Sequence, residues 1–306
     1  MMKMNILKHL SLPSFTNKQI IPICLLIFVI TICSCTEDIN VKVDKGDTRL
    51  SVEASVTSDF KNHTVILKES SDVFFNQKAV LVQNAIVTVT DGSNTYNYIE
   101  TSAGHYESEN KFAGEPGKTY SLSITNVDVN DDGNMEEYSA SSTMKYPYTV
   151  EKIELHFDPD YEPEGDDEDE GAFWLVSLYM QDDIKTKDFY AYACSINDVL
   201  VHDTITEIIV QEDTYFNGEL TKGADVGELS QAKPDEILEE NDKVTLETYA
   251  ITEEYYDFVS QLKQQDEGQD MFSGPPGNIA SNVSNGAIGF FAVYSITRTS
   301  TLLTTD

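Results

Sequence analysis

Oxygen-bearing side chains crowd the stretch DVNDDGNMEE, residues 128–137. Asp128, Asn130 and Asp132 alternate, Gly133 stands sixth, and Glu136 and Glu137 follow. Oxygens at alternate positions with a glycine sixth is how a calcium loop turns about its ion. An EF-hand places glutamate at the twelfth position, where this chain has Ser139. The stretch therefore reads either as a partial calcium loop, with Asp128, Asn130, Asp132 and Glu136 as ligands, or as an acidic hairpin turn between two strands. No other cofactor is expected. Catalytic patterns are absent. His63, His105, His156 and His202 are scattered and none belongs to H-E-x-x-H, nor is there a G-x-S-x-G or a phosphate-cradling glycine loop. Cys194 sits in an apolar strand pattern and reads as a small core residue. The chain has sixteen tyrosines, fourteen phenylalanines and one tryptophan, Trp174. Most read as core, and Tyr161, Tyr215 and Phe216 in loop-like surroundings are candidates for stacking a ligand. The chain is therefore not expected to be an enzyme.

A second chemical position lies near the amino terminus. Lys3, Lys8 and Lys18 precede the apolar run IIPICLLIFVITICS, residues 20–34, and no acid precedes Cys35. That run is short of the about 20 apolar residues a membrane helix needs. A basic segment, a short apolar segment and small residues make a secretory signal peptide, here residues 1–34. Ile32-Cys33-Ser34-Cys35 resembles the bacterial lipobox, which implies acylation of the Cys35 sulfur and cleavage before it. Several acyl chains anchor stably, since each buried CH₂ contributes about 0.8 kcal/mol. Glu37 and Asp38 then resemble the export signal of Bacteroidetes surface lipoproteins. The expected location is the outer membrane, lipid-anchored and exposed on the cell surface.

Composition narrows the partners. The formal net charge is −33, from 53 acids against 20 lysines and arginines. Removal of the signal takes three lysines and no acid, so the imbalance widens. Such a chain offers no clustered cations for phosphates, which excludes nucleic acid. Cys24 and Cys33 leave with the signal and Cys35 is acylated, so Cys194 has no partner for a disulfide. The fold must stand on its apolar core.

Residues 35–48 read as a polar tether. From Arg49 the pattern alternates with period two in RLSVEASVT, HTVILKES, AIVTVTDG and TYSLSITNV. Asp91-Gly92 marks a hairpin, Gly104-His105-Tyr106 and Pro116-Gly117 mark turns, and Pro147 ends the set. Residues 49–147 are thus expected to form an Ig-like β-sandwich. Residues 148–306 are expected to form a second β-rich domain, sandwich or barrel. Its acidic loop, 158–171, has nine acids among its fourteen residues. Thr252 can cap one short helix whose face carries Tyr255, Phe258, Val259 and Leu262. The last apolar run, AIGFFAVYSITRT, reads as a central strand. The fold class is mainly β.

The order of these parts is the most informative signal. A lipobox, the Asp-Gly turn, Pro-Gly-x-x-Tyr, then DKVTLETYAITEEYYDFVSQLKQQ and PPGNIASNVSNGAIGFFAVYS are similar to the Bacteroidetes lipoproteins grouped as domain-of-unknown-function family 4249. The most specific part is Asn282, Asn285-Gly286 and Gly289-Phe290-Phe291. The resemblance covers nearly the whole chain. It implies a neighbour, a TonB-dependent outer-membrane receptor, and a role as non-catalytic binding accessory of that nutrient transporter. The alternative is an adhesin or surface-assembly subunit. The ligand is left open.

Overall fold

A computed structural model describes residues 48–70, 80–130, 132–162, 171–181, 186–213, 221–266 and 279–304. They belong to one compact unit that begins at Gly46. Among them are fifteen strands and one helix. Cys35, Glu37 and Asp38 lie outside the described residues, as does most of the acidic loop.

Period-two alternation sets the first strands. In β1 (Leu50–Thr57), Leu50, Val52, Ala54 and Val56 are buried while Ser51, Glu53 and Ser55 point the other way. The pattern repeats in β2 (Thr64–Glu69), β3 (Ile86–Thr90), β4 (Thr95–Ser102), β5 (His105–Ser108), β6 (Thr119–Val127) and β7 (Glu136–Thr143). Their order in the sheet is β1-β2-β5-β4-β3-β6-β7. The inward residues share one core that includes Tyr106, Tyr120, Leu122 and Ile124.

The turn motifs act through side chains that satisfy the loop backbone. Asp91 Oδ1 accepts the amides of Ser93 and Asn94 at 2.9 and 2.6 Å, and Oδ2 takes Lys118 Nζ at 3.1 Å. Burial favours the neutral acid, but these donors outweigh it and hold the Asp91 carboxyl well below the usual range. Tyr106 donates its hydroxyl to Val82 O at 2.9 Å, and Tyr120 accepts the Glu115 amide at 2.9 Å. The tyrosines of Gly-x-Tyr and Pro-Gly-x-x-Tyr therefore fill the core and tie loops to it.

The remaining strands are β8 (Val150–Asp158), β9 (Phe173–Met180), β10 (Phe189–Ile196), β11 (Val199–Leu200), β12 (Ile209–Glu212), β13 (Ala224–Ser230), β14 (Lys243–Ala250) and β15 (Ile288–Leu302). β13-β9-β8 make a small sheet of their own. The others extend the large sheet as β11-β10-β14-β15-β1, with β12 beside β10. β15 is central, antiparallel to β14 and parallel to β1. The strand pairing thus runs through the expected division at residue 148. The described strands are layered as in a sandwich and close no barrel.

The three-stranded sheet covers one face of β10 and β14, and a helix, α1 (Glu253–Asp266), packs against the other. That double cover explains why all eight residues of β10 are buried, Cys194 included. α1 begins where expected: Thr252 Oγ1 accepts the Tyr255 amide at 3.3 Å, and Glu253 and Glu254 occupy the positive end. Arg298 of β15 adds a tie across the seam. It grips Asp59 with two bonds of 2.8 and 2.7 Å and Glu247 with a third of 2.7 Å.

Candidate binding groove

Residues of β1 and β15 face each other in parallel register, Glu53 opposite Phe290, Ser55 opposite Ala292 and Thr57 opposite Tyr294. Glu53 and Ser55 point away from the first core, and Phe290 and Ala292 belong to the cluster under α1. The helix roofs β10, β12 and part of β15, but leaves this outward face of β1 uncovered. A groove of about 570 Å³ results. Its floor is β1 and β15, one wall is α1, and the other is the turn after His202.

Aromatic rings line it. Tyr255 lies 5.2 Å from Phe290 and 6.3 Å from Tyr294, nearly parallel to the latter. Tyr249 meets Tyr294 at 5.0 Å and Phe258 meets Phe290 at 5.1 Å. Burial, then the Tyr294 ring and the Glu53 carboxylate, push the Tyr255 phenol up. Tyr294 is pushed up to about 12, first by burial and then by Glu247. Both phenols therefore stay neutral donors at neutral pH. His202 stands beside the groove, but its ring is occupied. Nδ1 accepts the Cys194 amide at 3.3 Å, and the ring also bonds the Glu228 backbone. Burial lowers its pKa, which keeps it neutral.

The sites expected from sequence fall elsewhere. Asp128, Asn130 and Asp132 form the β6–β7 turn. Asp128 accepts the Asp132 and Gly133 amides at 3.1 and 2.9 Å, Asn130 accepts the Asp132 amide at 3.0 Å, and Asp132 accepts the Asn134 amide at 2.7 Å. Glu136 accepts the Tyr138 hydroxyl at 2.6 Å. These oxygens serve the hairpin itself. Among the described residues no group of three or more His, Cys, Asp and Glu is gathered as a metal site. Tyr161 packs edge-on against Phe173 and bonds Glu228, and Trp174 packs on Phe157. Tyr215 and Phe216 lie outside the described residues. Burial, then the Glu236 carboxylate, push the Cys194 thiol up to about 12, so it is an inert core residue.

The carboxy-terminal run has a structural explanation. β14 pairs with β15 only as far as Ser295, so earlier residues of β15 need other partners on that side. Asn282 supplies one. Its Nδ2 donates to Phe291 O at 2.9 Å, and its Oδ1 accepts the Phe291 amide at 2.9 Å. Ser281 Oγ donates to Gly289 O at 2.7 Å. Asn285 and Gly286 make the intervening turn with φ of 59° and 71°. Together these bonds fix Phe290 at the groove.

The family model for domain of unknown function DUF4249 matches residues 36–300. The chain belongs to that family. It matches no curated protein. The DUF4249 match spans both the β1–β7 region and the groove-forming strands, so the groove is built wholly from the family's own segment.

Asn282→Ala should cost about 2 kcal/mol, because it leaves the buried Phe291 amide and carbonyl unpaired. Urea unfolding would measure it. A loss below a few tenths would mean that water replaces the side chain.

Sequence reasoning missed the groove as a unit. Its residues come from β1, β14, α1 and β15, and no local pattern joins them. The alternation of Phe290, Ala292 and Tyr294 marks one face of a strand but does not say which strand lies beside it.

Proposed function

We propose that this DUF4249 chain is a lipid-anchored, surface-exposed, non-catalytic binding module that serves a TonB-dependent outer-membrane transporter. The observation that carries the binding reading is the groove of about 570 Å³, within the range of small-molecule sites, where aromatic and aliphatic side chains alternate with polar ones such as Ser51, Glu53, Ser55 and Asp203. The chemistry of the histidines supports it further. His63 and His202 are buried and engaged by backbone, while His105 and His156 stand exposed on strands. The Cys35 lipobox supports the anchor, and a tether to the membrane would hold the groove at high effective concentration beside a transporter. No helix among the described residues is long and apolar enough to cross a membrane.

Cys35→Ser should move the protein from the detergent fraction to the soluble fraction and abolish labelling by a palmitate analogue. Retention in the membrane would refute lipid anchoring. For the partner, the lipid-anchored chain is purified in mild detergent and co-purifying proteins are identified by mass spectrometry. A TonB-dependent barrel in stoichiometric amount is the expected result. Self-association or other surface proteins without a barrel would favour the adhesin reading.

A further inference from the structure

The charge around the groove restricts what it can take. Glu53 and Asp203 are among the lining residues, and among the described residues no lysine or arginine lines it. The Glu53 side chain is 73% exposed, and Lys68, on the neighbouring strand, reaches it only at 3.9 Å. Its carboxylate is thus only loosely paired, and a ligand ammonium would compete with Lys68 for it. Ring faces present negative potential and attract cations, most strongly where water is partly excluded. Tyr255, Phe290 and Tyr294 pack on one another and together line one cavity. An anion would meet two carboxylates and negative ring faces. A neutral polar molecule would gain little from either.

We propose that the groove binds a small organic ammonium ion: a primary amine on an aromatic or apolar body, the body seated on Tyr255 and Phe290 and the charge beside Glu53. The cavity volume suits a free small molecule rather than a folded partner. This rests on the binding reading above and names its ligand class. It does not depend on the transporter, because the test needs the purified chain alone.

The test is calorimetry on the full chain at low salt, with phenethylammonium, 2-phenylethanol and phenylacetate as probes of equal shape and different charge. Phenethylammonium is expected to bind about tenfold more tightly than the alcohol, with phenylacetate weakest. Glu53→Gln should weaken the ammonium about tenfold and leave the alcohol unchanged. Leu262→Trp, which fills the groove, should abolish both. Equal affinity for all three probes, preference for phenylacetate, no binding of phenethylammonium, or binding that survives both substitutions would each overturn the proposal. Glu53 is exposed, so its variant tests charge without threatening the fold, and circular dichroism verifies this for Leu262→Trp.

Discussion

Gly289→Ala is expected to destabilise the protein by about 4 kcal/mol, or to prevent folding altogether. Two effects combine. Gly289 has φ of +95°, a conformation that costs an L-residue about 1–2 kcal/mol. A methyl group there would also overlap the Val52 carbonyl oxygen and approach the Val52 carbonyl carbon to 2.9 Å. Val52 and Gly289 are opposite one another in the parallel β1–β15 pair, so relief requires moving one strand from the other. Gly286→Ala separates the two effects. Gly286 also has positive φ, 71°, but nothing lies within 4 Å of its added carbon. It should cost only about 1 kcal/mol. Urea unfolding of both variants decides the matter. Equal losses would show that the close approach of β1 is not what demands glycine at 289.

The second large effect is a loss of stability in acid traced to His63. Its side chain sits in the first core, where the residue is 1% exposed. Nε2 lies 2.9 Å from Phe112 O and Nδ1 accepts the Thr57 amide at 3.4 Å, an arrangement that requires the neutral ring protonated on Nε2. Burial lowers its pKa from 6.5 to about 4, against the opposing pull of the Phe112 carbonyl. Between those values the unfolded chain binds a proton that the folded chain refuses, so stability rises with pH across this window. The contribution is complete above pH 6.5 and is lost as the pH falls to about 4. Its size is roughly 3 kcal/mol, from 1.36 kcal/mol per unit. The measurement is unfolding free energy at pH 7, 5.5 and 4.5 for wild type and His63→Gln. The variant should start less stable and show a shallower decline, the gap narrowing by about 2.4 kcal/mol between pH 7 and 4.5. Parallel curves would mean that His63 takes up its proton equally readily in the folded and unfolded chains. Acid-sensitive groups away from His63, such as Asp91 held low by its turn amides and Lys118, act on both proteins and cancel in the comparison.

Much of this was legible in the sequence where the signal is local. Strands with one wet face show it as alternation, so β1, β3 and β6 could be read directly. The cap at Thr252 and the Asp91-Gly92 turn announce themselves because the side chain bonds a backbone only two or three residues away. β10 was harder, since two covered faces erase the alternation that marks a boundary. The parallel meeting of β1 and β15 leaves no local trace at all, because each strand would look the same beside another neighbour. The groove depends on that meeting and was invisible for the same reason. The acidic stretch at 128–137 shows the converse error of emphasis. Oxygens spaced as for a cation also suit a tight turn, where the amides of the turn are the nearer donors.

The β1–β15 pairing also sets when the protein can finish folding. These two strands lie near opposite ends of the described residues and meet in the middle of the large sheet. During synthesis β1 emerges first and pairs with β2, yet its other edge stays open until β15 has been made. Contacts so distant in sequence carry a large loop-closure cost and slow the final step. Through that interval an edge of unpaired amides and carbonyls flanked by Leu50, Val52 and Val56 is available to any other chain. A nascent chain that stalls before Gly289 is consequently the species most prone to aggregate, and a chaperone that guards β1 would act at the moment of greatest need.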